Sequence, residues 1–129
     1  MKKIFISVPM KGRTDEAIAN SISIMKNVAK AYYPDEEVEF IDNFVSCDIE
    51  DPKKRSLTYL GDAIKKMADA DTLIIPTNIW ESNGCVTERD VAYRCGLRVV
   101  EVDFSIVCPD IVEARLKEQN ECNGCANVR

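Results

Sequence analysis

The segment from residue 80 to residue 96 holds the side chains of this chain best suited to chemistry. It follows an apolar run, residues 72 to 76, which predicts a buried strand, and it opens a helix near Gly84. At about 100° per residue, Glu88 lies in the middle of the face that also carries Cys85. A carboxylate on a core-facing stripe is costly to bury unless it has partners or a chemical task.

Two interpretations of Glu88 are open at this point. A helix that follows a strand of a parallel sheet begins at the crevice where open α/β folds bind their ligands, which favours a catalytic or binding carboxylate. Structural ion pairs occupy similar positions, and Arg89 or Arg94 could supply the partner of a purely structural Glu88.

The composition excludes several kinds of protein. The chain has 129 residues and no histidine, which removes Ser–His and Cys–His nucleophile pairs and histidine-ligated metals. A net charge of −5, with scattered lysines and arginines, argues against binding of a nucleic-acid polymer. No apolar run approaches the roughly 20 residues of a membrane span, so we expect no membrane partner. Because Met1 leads within two residues into a short strand, we expect no signal peptide and a cytoplasmic protein.

The six cysteines fit a reducing compartment with mostly free thiols. Cys122 and Cys125 form a Cys-x-x-Cys pair, but no second pair stands at metal-site spacing. We therefore expect neither a metal nor another cofactor, and an accidental, redox or metal role for this pair stays open.

Apolar runs alternate with helical periodicity along the chain, which predicts an α/β fold. We expect strands at residues 3 to 9, 38 to 41, 71 to 76 and 99 to 103, helices at 15 to 33, 57 to 70, 84 to 95 and 109 to 117, a polar loop at 42 to 56 and loosely ordered final residues. This order favours a flavodoxin-like doubly wound parallel sheet of four to five strands with helices on both faces. Residues 1–103 form the predicted domain, and 104–129 an extension that packs on it or on a neighbouring subunit.

Polar groups gather in the loops that this fold brings to one edge of the sheet. The first loop, before a helix N-terminus, suits a phosphate or carboxylate, although an ordinary strand–helix turn has the same composition. In the third loop Trp80 could stack on a base or cap the edge of the core. Asp62, on the second helix, could assist Glu88 in proton transfer. The candidate binding residues are Ser7, Pro9, Met10, Gly12, Arg13, Asn78, Trp80, Ser82 and Gly84.

The pattern Trp80-x-Ser82-x-Gly84-Cys85-x-x-Glu88-x-x-x-Ala92-x-x-x-Gly96, with an Asp opening the third strand, resembles the nucleoside 2-deoxyribosyltransferase superfamily. The likeness spans about residues 3 to 103 and is greatest to a small branch common in phage and bacterial genomes. It implies that Glu88 is the nucleophile that attacks the anomeric carbon of a 2′-deoxyribosyl group, that Asp62 assists it, and that the protein forms a homodimer or a higher homo-oligomer.

The first loop, residues 5 to 15, is similar to that of the deoxynucleoside 5′-monophosphate N-glycosidases. This similarity implies that Ser7, Gly12 and Arg13 hold a 5′-phosphate. The expected function is an N-glycosidase or deoxyribosyltransferase that acts on a (deoxy)nucleoside or its 5′-monophosphate. The alternatives are a non-catalytic nucleotide-binding or sequestering module on the same fold, and a structural or interaction protein.

Overall fold

A computed structural model describes residues 1–41 and 48–126, and the side chains of these ranges up to residue 120. The elements are β1 (Lys2–Ile6), α1 (Asp15–Tyr32), β2 (Val38–Phe40), α2 (Pro52–Met67), β3 (Thr72–Pro76), α3 (Asn83–Arg94), β4 (Arg98–Val102), α4 (Phe104–Val107) and α5 (Pro109–Ala126).

The four strands form one parallel sheet in the order β2-β1-β3-β4. This order confirms the predicted flavodoxin-like α/β fold. Alternate residues of a strand point to opposite faces of the sheet, so Ile4 packs with α1 and α4 while Phe5 packs with α2 and α3. Helices therefore cover both faces, as expected, and each face has its own hydrophobic cluster.

Local signals explain where α1 and α3 begin. Thr14 caps α1 by accepting a hydrogen bond of 3.1 Å from the backbone N–H of Ala17. Ser82 caps α3 in the same way by accepting from Cys85 N–H at 3.4 Å. The cap places the first turn of α3 directly after the third loop, so that Glu88 follows one turn further along.

Several predicted boundaries are wrong. β1 ends at Ile6 instead of residue 9, and α2 ends at Met67 instead of residue 70. The polar loop predicted through residue 56 ends earlier, because Asp51 caps α2 and Pro52 occupies its first turn. Residues 42–47 of that loop, which include Cys47, lie outside the described residues. The predicted helix at 109 to 117 continues to Ala126, so the chain up to there is helical rather than loosely ordered. Residues 127–129 and the side chains of Cys122 and Cys125 lie outside the described part.

The segment after β4 completes the core on the α1 face. Phe104, Val107 and Cys108 are buried, and they belong to the same cluster as Ile4 and Met25. In residues 1–41 and 48–126, no helix is both long and apolar enough to cross a membrane.

Candidate functional site

A cavity of about 1350 Å³ opens beside the carboxyl ends of β1 and β3. It is bordered by the loop after β1, the start of α2, the loop before α3, the first turns of α3 and the beginning of α5. This is the crevice in which doubly wound folds bind their ligands. Of the predicted site residues, those that line it are Pro9, Met10, Gly12, Arg13, Asn78, Ser82, Gly84 and Glu88.

Glu88 is the most unusual side chain of this cavity. The residue is only 8% exposed. Its Oε2 atom is buried and has no hydrogen-bond partner among the described residues. Burial raises the pKa of Glu88 to about 7, and the neighbouring Ser7 hydroxyl partly opposes this rise. A substantial fraction of Glu88 is therefore protonated at neutral pH.

If Glu88 were half of a structural ion pair, a cation should lie beside it, but none of the described side chains forms a salt bridge with it. Arg89 instead lies 3.7 Å from Glu101, measured between Nη1 and Oε1. Arg94 is exposed and forms no salt bridge within the described ranges. A buried carboxylate with no cation beside it among the described side chains is expensive, so its presence here favours a chemical task.

Ser7 lies at the end of β1 and contacts α3 rather than the cavity. Its hydroxyl donates a hydrogen bond of 3.2 Å to Cys85 Sγ, and both residues are at most 2% exposed. Burial raises the pKa of the Cys85 thiol to about 11, so it stays protonated at neutral pH. Ser7 does not line the cavity, and we assign it to the support of α3 beneath Glu88.

Arg13 lines the cavity, but its guanidinium is engaged by the protein itself. It donates to Asp110 through Nε at 2.9 Å and through Nη2 at 2.8 Å, and its side chain is 2% exposed. Its remaining hydrogen bonds go to the carbonyl oxygens of Pro9 and Ala17 and to Ser21 Oγ. Pairing with Arg13 keeps the pKa of Asp110 below its usual range. In this arrangement Arg13 organises the first loop from within.

Two further predicted site residues lie away from the cavity lining. Asp62 forms an ion pair of 3.1 Å with Lys66, one turn further along α2. The side chain of Trp80 is 67% exposed, and the Arg115 guanidinium lies 5.6 Å from its ring centroid. Asp62 is therefore paired within its own helix and does not line the cavity, and Trp80 neither caps the core nor forms a wall of the cavity.

Several residues line the cavity without having been predicted. Lys53 and Arg55 come from the first turn of α2, within the stretch expected to be loop. Arg115 comes from α5, where its guanidinium lies 4.7 Å from the ring centroid of Phe104 and its Nη2 2.7 Å from Glu81. The Asp51-Pro52 cap was the signal that could have identified the first two. No local signal links Arg115 to this site.

Within the described side chains, no cluster of three or more His, Cys, Asp or Glu residues could hold a metal ion. Comparisons of the chain with models of known families, with curated proteins and with solved structures found no match. Function must therefore be inferred from the residues of the site itself.

Proposed function

We propose that this protein is an N-glycosidase or deoxyribosyltransferase, acting on a (deoxy)nucleoside or its 5′-monophosphate, with Glu88 as its nucleophile. The observation that carries the proposal is a buried carboxylate on the wall of a cavity at the ligand-binding edge of a parallel sheet, with no cationic partner among the described side chains. The sequence pattern around Glu88, which resembles the deoxyribosyltransferases, adds independent support.

The reaction needs one carboxylate at the anomeric carbon. An oxygen of ionised Glu88 bonds to C1′ as the bond from C1′ to the base nitrogen breaks, and the electron pair leaves with the base. The base then takes a proton from water in the open cavity. Water, or a second base, attacks C1′ of the resulting glycosyl ester and releases Glu88, with overall retention of configuration.

Glu88 suits this role better than the other carboxylates of the cavity. Glu81 is paired with Arg115, and Asp110 with Arg13. Both anions are already stabilised by a guanidinium, which makes them weaker nucleophiles. Glu88 pairs with no guanidinium among the described side chains, and a desolvated carboxylate gains more from bonding to a centre that develops positive charge.

A second candidate is a nucleotide-binding module without catalytic activity. Two placements favour it: Asp62 lies outside the cavity, and the hydrogen-bond donors of Arg13 are directed at the protein. Of the two predicted catalytic residues, Glu88 lines the cavity and Asp62 does not, so an enzyme of this kind would lack the predicted helper. The binding module predicts a stable complex with a nucleotide and no product.

The two candidates are separated by chromatography of products after incubation with the four deoxynucleosides and their 5′-monophosphates. We expect free base with the unmodified protein and none with Glu88→Gln. Glu81→Gln is the matched control, because Glu81 lines the same cavity and should be dispensable. Cleavage by Glu88→Gln would refute the assignment. Absence of cleavage, together with thermal stabilisation by a nucleotide, would establish the binding module.

We also propose that the protein forms a homodimer or a higher homo-oligomer. Large apolar side chains near the cavity are exposed, among them Met10, Leu57 and Trp80. Coverage by a second copy would remove this surface from water. Sedimentation velocity at several concentrations tests this, and a single monomeric species throughout would contradict it.

A further inference from the structure

The cavity has the opposite charge from the chain as a whole. The protein carries 17 lysines and arginines against 22 aspartates and glutamates. The cavity reverses this balance: its cationic side chains are Lys11, Arg13, Lys53, Arg55 and Arg115, and its carboxylates are Glu81, Glu88 and Asp110. A cleft with an excess of one charge concentrates ligands of the other charge, so this cavity favours an anion.

The excess positive charge belongs to one part of the cavity. Arg13 and Arg115 are neutralised by their carboxylate partners. Lys11, Lys53 and Arg55 form no salt bridge with the described side chains, those of residues 1–41 and 48–120. They lie in the loop after β1 and at the beginning of α2, so the unpaired charge is concentrated between these two segments.

The beginning of α2 carries these cations against the local electrostatic preference. The N-terminus of a helix has a partial positive charge and favours acidic residues. The first turn of α2 instead contains no acidic residue, and Lys53, Lys54 and Arg55 follow the capping residue Asp51. Positive charge at this end weakens the helix, and residues that break a local rule in this way are expected at functional sites.

Glu88, a buried group on the wall of the same cavity, indicates where the part of a ligand remote from the cations would lie. Glu88 is only 8% exposed, and its Oε2 has no hydrogen-bond partner among the described residues. Ionised Glu88 repels an anionic group, so a ligand that fills this cavity presents a neutral part to Glu88. Its anionic part is then attracted towards the unpaired cations.

We infer that Lys53 and Arg55, with Lys11, form a binding subsite for the phosphate group of a sugar phosphate whose sugar carbon lies at Glu88. The inference rests on the proposed function and narrows it from nucleosides in general to phosphorylated ones. It also moves phosphate recognition from Arg13, whose guanidinium is occupied, to side chains that are exposed and unpaired.

Calorimetric titration with 2-deoxyribose 5-phosphate, 2-deoxyribose and inorganic phosphate tests the subsite without any need for turnover. We expect the sugar phosphate to bind more tightly than either of the other compounds. The double variant Lys53→Gln/Arg55→Gln should weaken binding of the sugar phosphate about tenfold, which is typical for the loss of charge-assisted hydrogen bonds. Binding should also weaken as salt is added.

Lys54→Gln is the matched control, since Lys54 lies in the same turn of α2 and does not line the cavity. It should leave the affinity for the sugar phosphate unchanged. An equal loss in Lys54→Gln and in the double variant would overturn the subsite, as would equal affinities for the sugar and its phosphate. Cleavage of nucleosides without preference for the 5′-phosphate would also overturn it, while leaving Glu88 as the nucleophile.

Discussion

The guanidinium of Arg13 and the carboxylate of Asp110 are joined by two hydrogen bonds, of 2.9 and 2.8 Å, across 97 residues of sequence. The pair links the loop after β1 to the first turn of α5. Both segments border the cavity, so one ion pair sets the position of two of its walls.

Asp110→Ala should reduce the free energy of unfolding by about 2 kcal/mol, because it leaves the buried Arg13 guanidinium without its charged partner. Asp110 is itself 37% exposed, which keeps the effect below that of a fully buried pair. Urea denaturation followed by circular dichroism measures the change. Glu113→Ala, at an exposed position on the same helix, should change stability by less than about 0.5 kcal/mol. Equal effects of the two substitutions would show that the pair is not stabilising.

Glu88→Gln should stabilise the folded protein above neutral pH. Burial raises the pKa of Glu88 to about 7 in the folded protein, against 4.5 for an exposed glutamate, so folding is more favourable at pH 4, with the carboxyl protonated, than at high pH, where it is ionised. The free energy of unfolding therefore falls by roughly 3 kcal/mol in total as the pH rises from 4.5 through 7. Glutamine never ionises, so unfolding in urea should show the variant to be more stable than the parent at pH 8.5.

The parent protein and Glu88→Gln should have nearly equal free energies of unfolding at pH 4, where Glu88 is mostly protonated in both the folded and the unfolded states. Glu81→Gln, which alters an exposed glutamate of the cavity, is the control and should show no such pH-dependent gain. A stability difference independent of pH would mean that Glu88 is not desolvated in solution.

Ser7→Ala should raise the pKa of Glu88 further, because the Ser7 hydroxyl opposes the effect of burial. A nucleophilic carboxylate must be ionised, so kcat/KM of the parent should rise with pH through about 7, and that midpoint should move upward in the variant. Carbon-13 NMR titration of the glutamate carboxyls measures the same pKa without reference to activity.

Ser21→Ala provides the control for Ser7→Ala. Ser21 is equally buried, but it belongs to α1 and bonds to Val107 O and Arg13. Its loss should lower stability without moving the pKa of Glu88. An unchanged Glu88 midpoint in Ser7→Ala would remove Ser7 from any role in tuning the carboxylate.

Gly84→Ala should raise stability and lower activity together. Gly84 lies in the first turn of α3 with ordinary helical backbone, so alanine would favour the helix by up to about 1 kcal/mol. Its Cβ would lie 3.9 Å from Glu88 Oε1, a normal contact that narrows the approach to the carboxylate from the cavity. We expect a higher melting temperature and a reduced kcat/KM.

Gly61→Ala is the corresponding control in α2, where a Cβ would meet nothing within 4 Å. It should raise the melting temperature in the same way and leave activity intact. Full activity in Gly84→Ala would show that ligands do not approach Glu88 across Gly84.

The fold was predictable because its signals are local. The continuous apolar run of β3 and the Thr14 and Ser82 caps each depend on a few neighbouring residues. The start of α2 was missed because Lys53, Lys54 and Arg55 mask its apolar periodicity, although its cap and proline were visible. The second half of α5 is polar and lacks the amphipathic pattern that identifies a helix.

The relative positions of site residues were predictable only for residues on the same helix or strand. Glu88 and Gly84 are one turn apart on α3, so helical geometry alone relates them. The partners of Arg13 and Ser7 come from elsewhere: Asp110 is 97 residues from Arg13 and Cys85 is 78 from Ser7. No pattern of local spacing predicts such distant pairs. Arg13 was therefore expected to bind a phosphate, whereas its guanidinium binds Asp110 of α5.

The packing of Phe104 and Val107 on β1 and α1 has a consequence for synthesis. A ribosome releases the β-strands and α1 to α3 before it adds the residues that close one side of the sheet. Until Phe104 and Val107 emerge, the part of the cluster around Ile4 and Met25 that they cover remains in water. Nascent chains stalled before and after this point should therefore differ sharply in protease sensitivity, and the packing of α4 should decide when this side of β1 is buried.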